Sequence, residues 1–215
     1  MGKKSKAKRE AKQALKAERQ VSQSFKSLGV PSWLGDMLAM ENIFNDLDTP
    51  RAITEQVSRF CSSISSETPF YIDSDPEPWS RDGCCDLNVM EFMKENGGRV
   101  LYGFRIWCND VYIEAERHAI WNDGESFRDV SFVADGTVKV LFLPDVAEKQ
   151  VDLTSNKLKI RKALNPKYEE FVATRSLIDV DLPPCSPEEA WNISQTYEQW
   201  QGRNLHKHSG RGSVV

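Results

Sequence analysis

The sequence predicts an α+β fold in which N-terminal helices and a cysteine-bearing helix pack on an antiparallel sheet of about four strands. Three observations point there: helical spacing of apolar residues dominates up to Lys94, β-rich runs dominate from 99 to 143, and helical spacing returns from Pro166. Helices followed by meandering strands segregate into a helical layer on an antiparallel sheet. With 215 residues, 40% of them hydrophobic, the chain supports one sizeable core, expected over residues 21–202.

The elements follow in order. Residues 1–20 hold eight basic residues against Glu10 and Glu18, a net of +6, which leaves −10 for the other 195 residues of a chain whose total is −4. This cationic arm has little but Leu15 and a few alanines to bury, so it reads as a disordered or loosely helical, solvated extension. It lacks aromatic residues for base stacking, so a weak polyanion contact through Lys3–Arg19 is the alternative, and the acidic body argues against broad nucleic-acid binding. Trp33, Leu34, Met37, Leu38, Phe44 and Leu47 have helical spacing after Pro31-Ser32, and Ile53, Val57, Phe60, Cys61 and Ile64 form a second stripe after Thr49-Pro50. Ser65 to Arg81 reads as a loop and Asp86 to Lys94 as a short helix, with Leu87, Met90 and Met93 on one stripe and Gly97-Gly98 as its stop.

Residues 99–107, 111–121, 126–132 and 138–143 read as the four strands. Asn122-Asp123-Gly124 is a hairpin-turn signal; with Asp123 and Gly124 at its centre, His118 pairs directly with Asp129. Period-2 alternation puts Tyr112, Glu114, Glu116, His118 and Ile120 on a mostly polar face, and Ile113, Ala115, Arg117, Ala119 and Trp121 on a mostly apolar one. Beyond, Pro166–Ile178 looks helical. Ser186-Pro187-Glu188-Glu189 is a capping box opening a helix through Trp191 and Tyr197 to Trp200, and 203–215 reads as a disordered tail containing His206 and His208.

His118 is thus the one histidine in a segment patterned as folded core. A carboxylate across from an imidazole holds it in one tautomer and stabilises its protonated form, although such pairs are also common on surfaces. Cys85 opens the helix that follows Gly83, where unpaired N–H groups and the helix dipole favour thiolate. The order Gly83-x-Cys85, short helix, glycine-bearing strand start (Gly97-Gly98-Arg99-Val100-Leu101-Tyr102-Gly103-Phe104), His118-Ala119, turn and Asp129 resembles the transglutaminase-like branch of the papain-like cysteine hydrolases over roughly residues 79 to 132. The resemblance implies a papain-like core with Cys85 as nucleophile, His118 as general base and acid and Asp129 as orienter, and Trp79 as a counterpart of an aromatic residue near the oxyanion. Cys84, Asn88 and Glu116 are expected as further site-wall positions. The stretch from Ile106-Trp107 to Phe142-Leu143-Pro144-Asp145 also resembles a set of microbial proteins without an assigned activity.

The function expected is cysteine-dependent acyl transfer on an amide or ester: hydrolysis, deamidation or transfer to an amine, with no cofactor. The alternative is a non-catalytic interaction protein on the same scaffold, its basic arm engaging an acidic partner or nucleic acid. Cys61 and Cys108 read as buried apolar residues. No metal is expected, because adjacent Cys84-Cys85 is not a chelating spacing, and Glu114 and Glu116 read as a solvated strand face rather than oxygen ligands. Five cysteines without scaffold spacing, no apolar run of bilayer length and no secretory signal suit a cytoplasmic protein with no membrane partner.

Overall fold

The computed structural model describes residues 46–133, 136–145, 159–181 and 185–209. The chain divides into two compact units, Met1–Leu47 and Asp48–Val215. The Lys3–Arg19 arm lies outside the described residues, as does the helix expected over Trp33–Leu47 except for its last two positions, Asp46 and Leu47, which are not helical.

The second unit is mixed α+β, with five α-helices and a six-stranded antiparallel sheet among the described residues, two strands more than expected. Helix α1 (Glu55–Ser62) starts where the Thr54 hydroxyl accepts from Val57 N, and it buries Val57, Phe60 and Cys61. Strand β1 (Phe70–Asp73) lies inside the segment expected as a loop: its apolar run is only Phe70-Tyr71-Ile72, too short to register as periodicity, and pairing with β5 makes it a strand. Helix α2 (Cys85–Asn96) buries Val89 and Phe92 and leaves Met90 exposed, so its inward stripe is rotated from the expected one. Strands β2 (Arg99–Cys108) and β3 (Tyr112–Asn122) form the long central hairpin, with Gly103 opposite His118. Strand β4 is only Phe127–Arg128; β5 (Lys139–Pro144) pairs with both β1 and β2, and β6 (Lys159–Ala163) pairs with the first half of β3. After a 3-10 turn at Pro166–Tyr168 come α3 (Glu169–Asp181), α4 (Pro187–Ile193) and α5 (Tyr197–Ser209). The single helix expected from residue 187 to Trp200 is broken because Thr196 and Gln199 cap each other reciprocally, a second capping box that starts α5 afresh. Helix α5 then runs through Arg203 to Ser209, into the segment expected as disordered tail.

The strand order is β1-β5-β2-β3-β4, and the two ends of this path meet. Ser74 pairs in parallel with Asp129, Asp75 and Glu77 donate to the carbonyls of Asp129 and Val130, and the rings of Phe70 and Phe127 lie 5.2 Å apart. The sheet therefore curls back on itself, and its two faces become an outside and an inside. Outside, α1 covers Ile106, Ile113, Ala115, Leu141 and Leu143, while α2 covers Ala119 with Val100, Tyr102 and Trp121. Inside, Ile120, Val140 and Phe142 pack with Phe70, Ile72 and Leu101. Gly103 is required where β2 lies against β5: a Cβ there would run into the Leu143 carbonyl and the Phe142 ring.

Candidate functional site

The turn after β3 is wider than Asp123-Gly124 alone. The Asp123 carboxylate accepts from the N–H groups of Glu125 and Ser126, Gly124 takes φ 102°, and the pairs that close the turn are Asn122 with Phe127 and Trp121 with Arg128. The register is thus two residues away from the expected one, and His118 and Asp129 are not direct cross-strand neighbours. A shift of two preserves face parity, whereas a shift of one would have reversed it. The chain leaves β3 at Asp129 to pair with Ser74, and the carboxylate still turns inward to meet the imidazole.

That meeting forms a buried polar group of three side chains. Asp129 Oδ2 lies 3.0 Å from His118 Nε2 and accepts from Arg105 at 3.0 Å, while Oδ1 accepts from Ser131 N. Asp129 is fully buried, and His118 and Arg105 are each 5% exposed. Burial opposes ionisation of Asp129, but His118 and Arg105 outweigh it and hold the carboxyl below its usual range. Carboxylate Oδ2 is an acceptor, so His118 carries its proton on Nε2 and presents Nδ1 away from Asp129. Arg105 was absent from the sequence expectations; its one signal is a lone charge within the apolar run Val100–Trp107.

The Cys85 thiol makes no hydrogen bond with this group, although the charges of Arg105 and Asp129 act on it. Cys85 is the first residue of α2 and packs against the cluster of Val89, Phe92, Ala119 and Val130, its thiol meeting the backbone of Ala119, the residue after His118. His118 Nε2 donates to Asp129, with the Arg105 guanidinium 3.3 Å from the same nitrogen. Burial, reinforced by the Asp86 carboxylate, pushes the Cys85 thiol up to about 12, and a hydrogen bond to the Ala119 backbone and the charge of Arg105 offset only part of this. At the start of α2 the backbone N–H groups of Asp86 and Leu87 are engaged by the Asp86 carboxyl, whose pKa burial raises above its ordinary value.

The other expected wall residues are dispersed. Trp79 packs against the α2 cluster and, with Glu77, Glu91, Phe92, Glu95 and Asn96, lines a cavity of about 90 Å³. Cys84 is buried, its thiol 3.9 Å from the Ser194 hydroxyl and pushed up by burial. Asn88 ties the loop before α2 to the sheet, accepting from Arg81 N and donating to the Arg81 carbonyl and the Ser131 hydroxyl. Glu116 is on the inner face with His118 but pairs with Lys159 at 3.0 Å and accepts from Trp107 Nε1; Glu114, 2% exposed, pairs with Arg161 and Lys159. The face expected to be solvated is therefore buried at Glu114, part-exposed at Glu116 and neutralised by β6, whose cations come from a stretch without a sequence assignment. Burial resists the charge on Glu116, yet Lys159 holds its carboxyl below the usual range. Among the described residues no group of three or more His, Cys, Asp and Glu side chains could hold a metal ion, and no helix is long and apolar enough to cross a membrane. The chain matches no protein-family model, no curated protein and no solved structure.

Proposed function

We propose that this protein is a non-catalytic interaction protein, a folded α+β body carrying a cationic N-terminal arm that engages an acidic protein partner. The observation that carries this reading is that the imidazole Nε2 is engaged by Asp129 at 3.0 Å while the buried Cys85 thiol meets the Ala119 backbone and is raised to about 12. A thiol held protonated and without a hydrogen bond to the imidazole lacks the activated nucleophile of an acyl-transfer cycle. The buried His118–Asp129–Arg105 group then serves as a polar core that fastens β2, β3 and the chain after β4 to one another. The arm's net of +6 against an acidic body supplies the binding element. Limiting iodoacetamide at neutral pH on the folded protein tests the first half. Exposed Cys185 is labelled ahead of Cys85, and His118→Ala leaves the Cys85 rate unchanged; fast labelling of Cys85 that depends on His118 overturns the reading. Removal of residues 1–20 tests the second half by abolishing salt-sensitive binding to polyglutamate. Retained binding, or stronger binding of the intact chain to single-stranded RNA, overturns it.

One observation favours a second reading, cysteine-dependent acyl transfer on a papain-like, transglutaminase-type core. His118 and Asp129 meet at 3.0 Å in the order that the family resemblance implies, with a cysteine-headed helix against the neighbouring residue Ala119. That reading requires the thiol to hand its proton to His118, and the same labelling experiment decides it.

A further inference from the structure

The C-terminal segment Ser186–Arg203 lies over the loop that leads into α2. Tyr197 N donates to the Ser80 carbonyl at 2.9 Å, Glu198 N to Pro78 at 3.0 Å and Asp82 N to Gln195 at 3.2 Å, and Arg81 forms an isolated bridge with Thr196. Side chains reinforce this seam. Arg81 donates to the Ser194 carbonyl at 2.8 Å with its guanidinium 5.0 Å over Trp191, and Phe132 lies 5.3 and 5.8 Å from the rings of Tyr197 and Trp200. Directly beneath are Ser80, fully buried, and Cys84, 2% exposed.

The covering segment is attached but not embedded. No side chain between Ser186 and Arg203 is fully buried, and none belongs to the three apolar clusters that hold α1, α2 and the sheet together. Detaching it therefore leaves those clusters intact. The joint also has a built-in cost: Ser80 Oγ and Arg81 Nε are buried without a protein hydrogen-bond partner, and both regain water when the segment lifts. Elements with few buried apolar contacts open at free energies below that of global unfolding.

We infer that Ser186–Arg203 is a latch that opens as a unit, on the intact sheet, and bares Cys84 and the start of α2. Cys61 is the internal reference, since it is fully buried in the α1 cluster and is exposed only when that cluster comes apart. The test is thiol labelling of the full chain under native conditions in low urea, with peptide mass spectrometry to read each cysteine. Cys84 is labelled at least about 10-fold faster than Cys61, and Trp191→Ala widens the gap by a further factor of about 3–10 without changing the Cys61 rate. Equal rates at Cys84 and Cys61 in both proteins overturn the inference, because exposure then requires global unfolding. Fast labelling of Cys84 that is indifferent both to Trp191→Ala and to Tyr197→Ala overturns it as well, since the opening then does not involve the latch.

Discussion

Strand β3 carries one alternation from Tyr112 to Asn122, yet its two faces have become different environments. The outer face, through Ile113, Ala115, Ala119 and Trp121, meets two helices and is held by apolar contact. The inner face, through Glu114, Glu116 and His118, meets strands that supply Arg105, Lys159 and Arg161, and its polar groups are neutralised at short range. Apolar packing tolerates small losses of volume by partial collapse, whereas a buried charge network fails when one member is removed. The cysteine-headed helix is on the tolerant side, and the histidine on the brittle one.

The largest expected effect comes from breaking the brittle side at its centre. Asp129→Ala leaves Arg105 and His118 buried without their carboxylate and costs about 3–5 kcal/mol in urea unfolding; a loss below about 1 kcal/mol would show that water reaches the pair. Gly103→Ala comes next, at about 2–3 kcal/mol, because its methyl group meets the Leu143 backbone and the Phe142 ring and neither can yield without disturbing the closure. Wild-type stability after that substitution would mean that β5 can move away from β2.

Titration separates the faces by sign. Asp129 and Glu116 have depressed folded pKa values, so the stability they contribute is present above their ordinary values of 3.8 and 4.5 and is lost as pH falls below them; Asp86, raised, acts in the opposite direction. On the outer side Cys61 is raised from 9.0 to about 11, so its contribution is intact below 9.0 and is lost as pH rises from there towards 11. Cys61 alone accounts for about 1 kcal/mol of that alkaline loss by about pH 10. Urea midpoints across pH for wild type and Cys61→Ala measure it, and an alkaline slope unaffected by the substitution would assign the loss elsewhere. The smallest effect belongs to the rim of the inner face. Glu116→Gln removes a part-exposed pair with Lys159 and costs under about 1 kcal/mol, and a larger loss would extend the brittle centre as far as β6.

Much of this arrangement was legible in the residues, and the rest was not for identifiable reasons. Helix α2, the long β2 and β3 strands and β5 announce themselves because each has enough apolar residues in period to outweigh local ambiguity. Strands β1 and β6 do not, since Phe70-Tyr71-Ile72 is too short and Lys159–Ala163 is mostly charged; both are strands because a neighbour offers a ladder. The break before α5 was readable in Thr196 and Gln199, whose spacing is that of a capping box.

The sequence by itself determined the alternation of β3, hence that Glu114, Glu116 and His118 share a face and that Asp129 has the parity to join them. It also determined that Cys85 begins a helix. What only the tertiary structure decided is the side of the sheet on which each sits. Period-2 logic assigns residues to one face or the other but does not say which face a helix will cover, which will be enclosed, or that closure through Ser74 and Asp129 turns a seemingly solvated face into an interior. Those outcomes depend on pairings between residues far apart in the chain, where no local spacing carries the information.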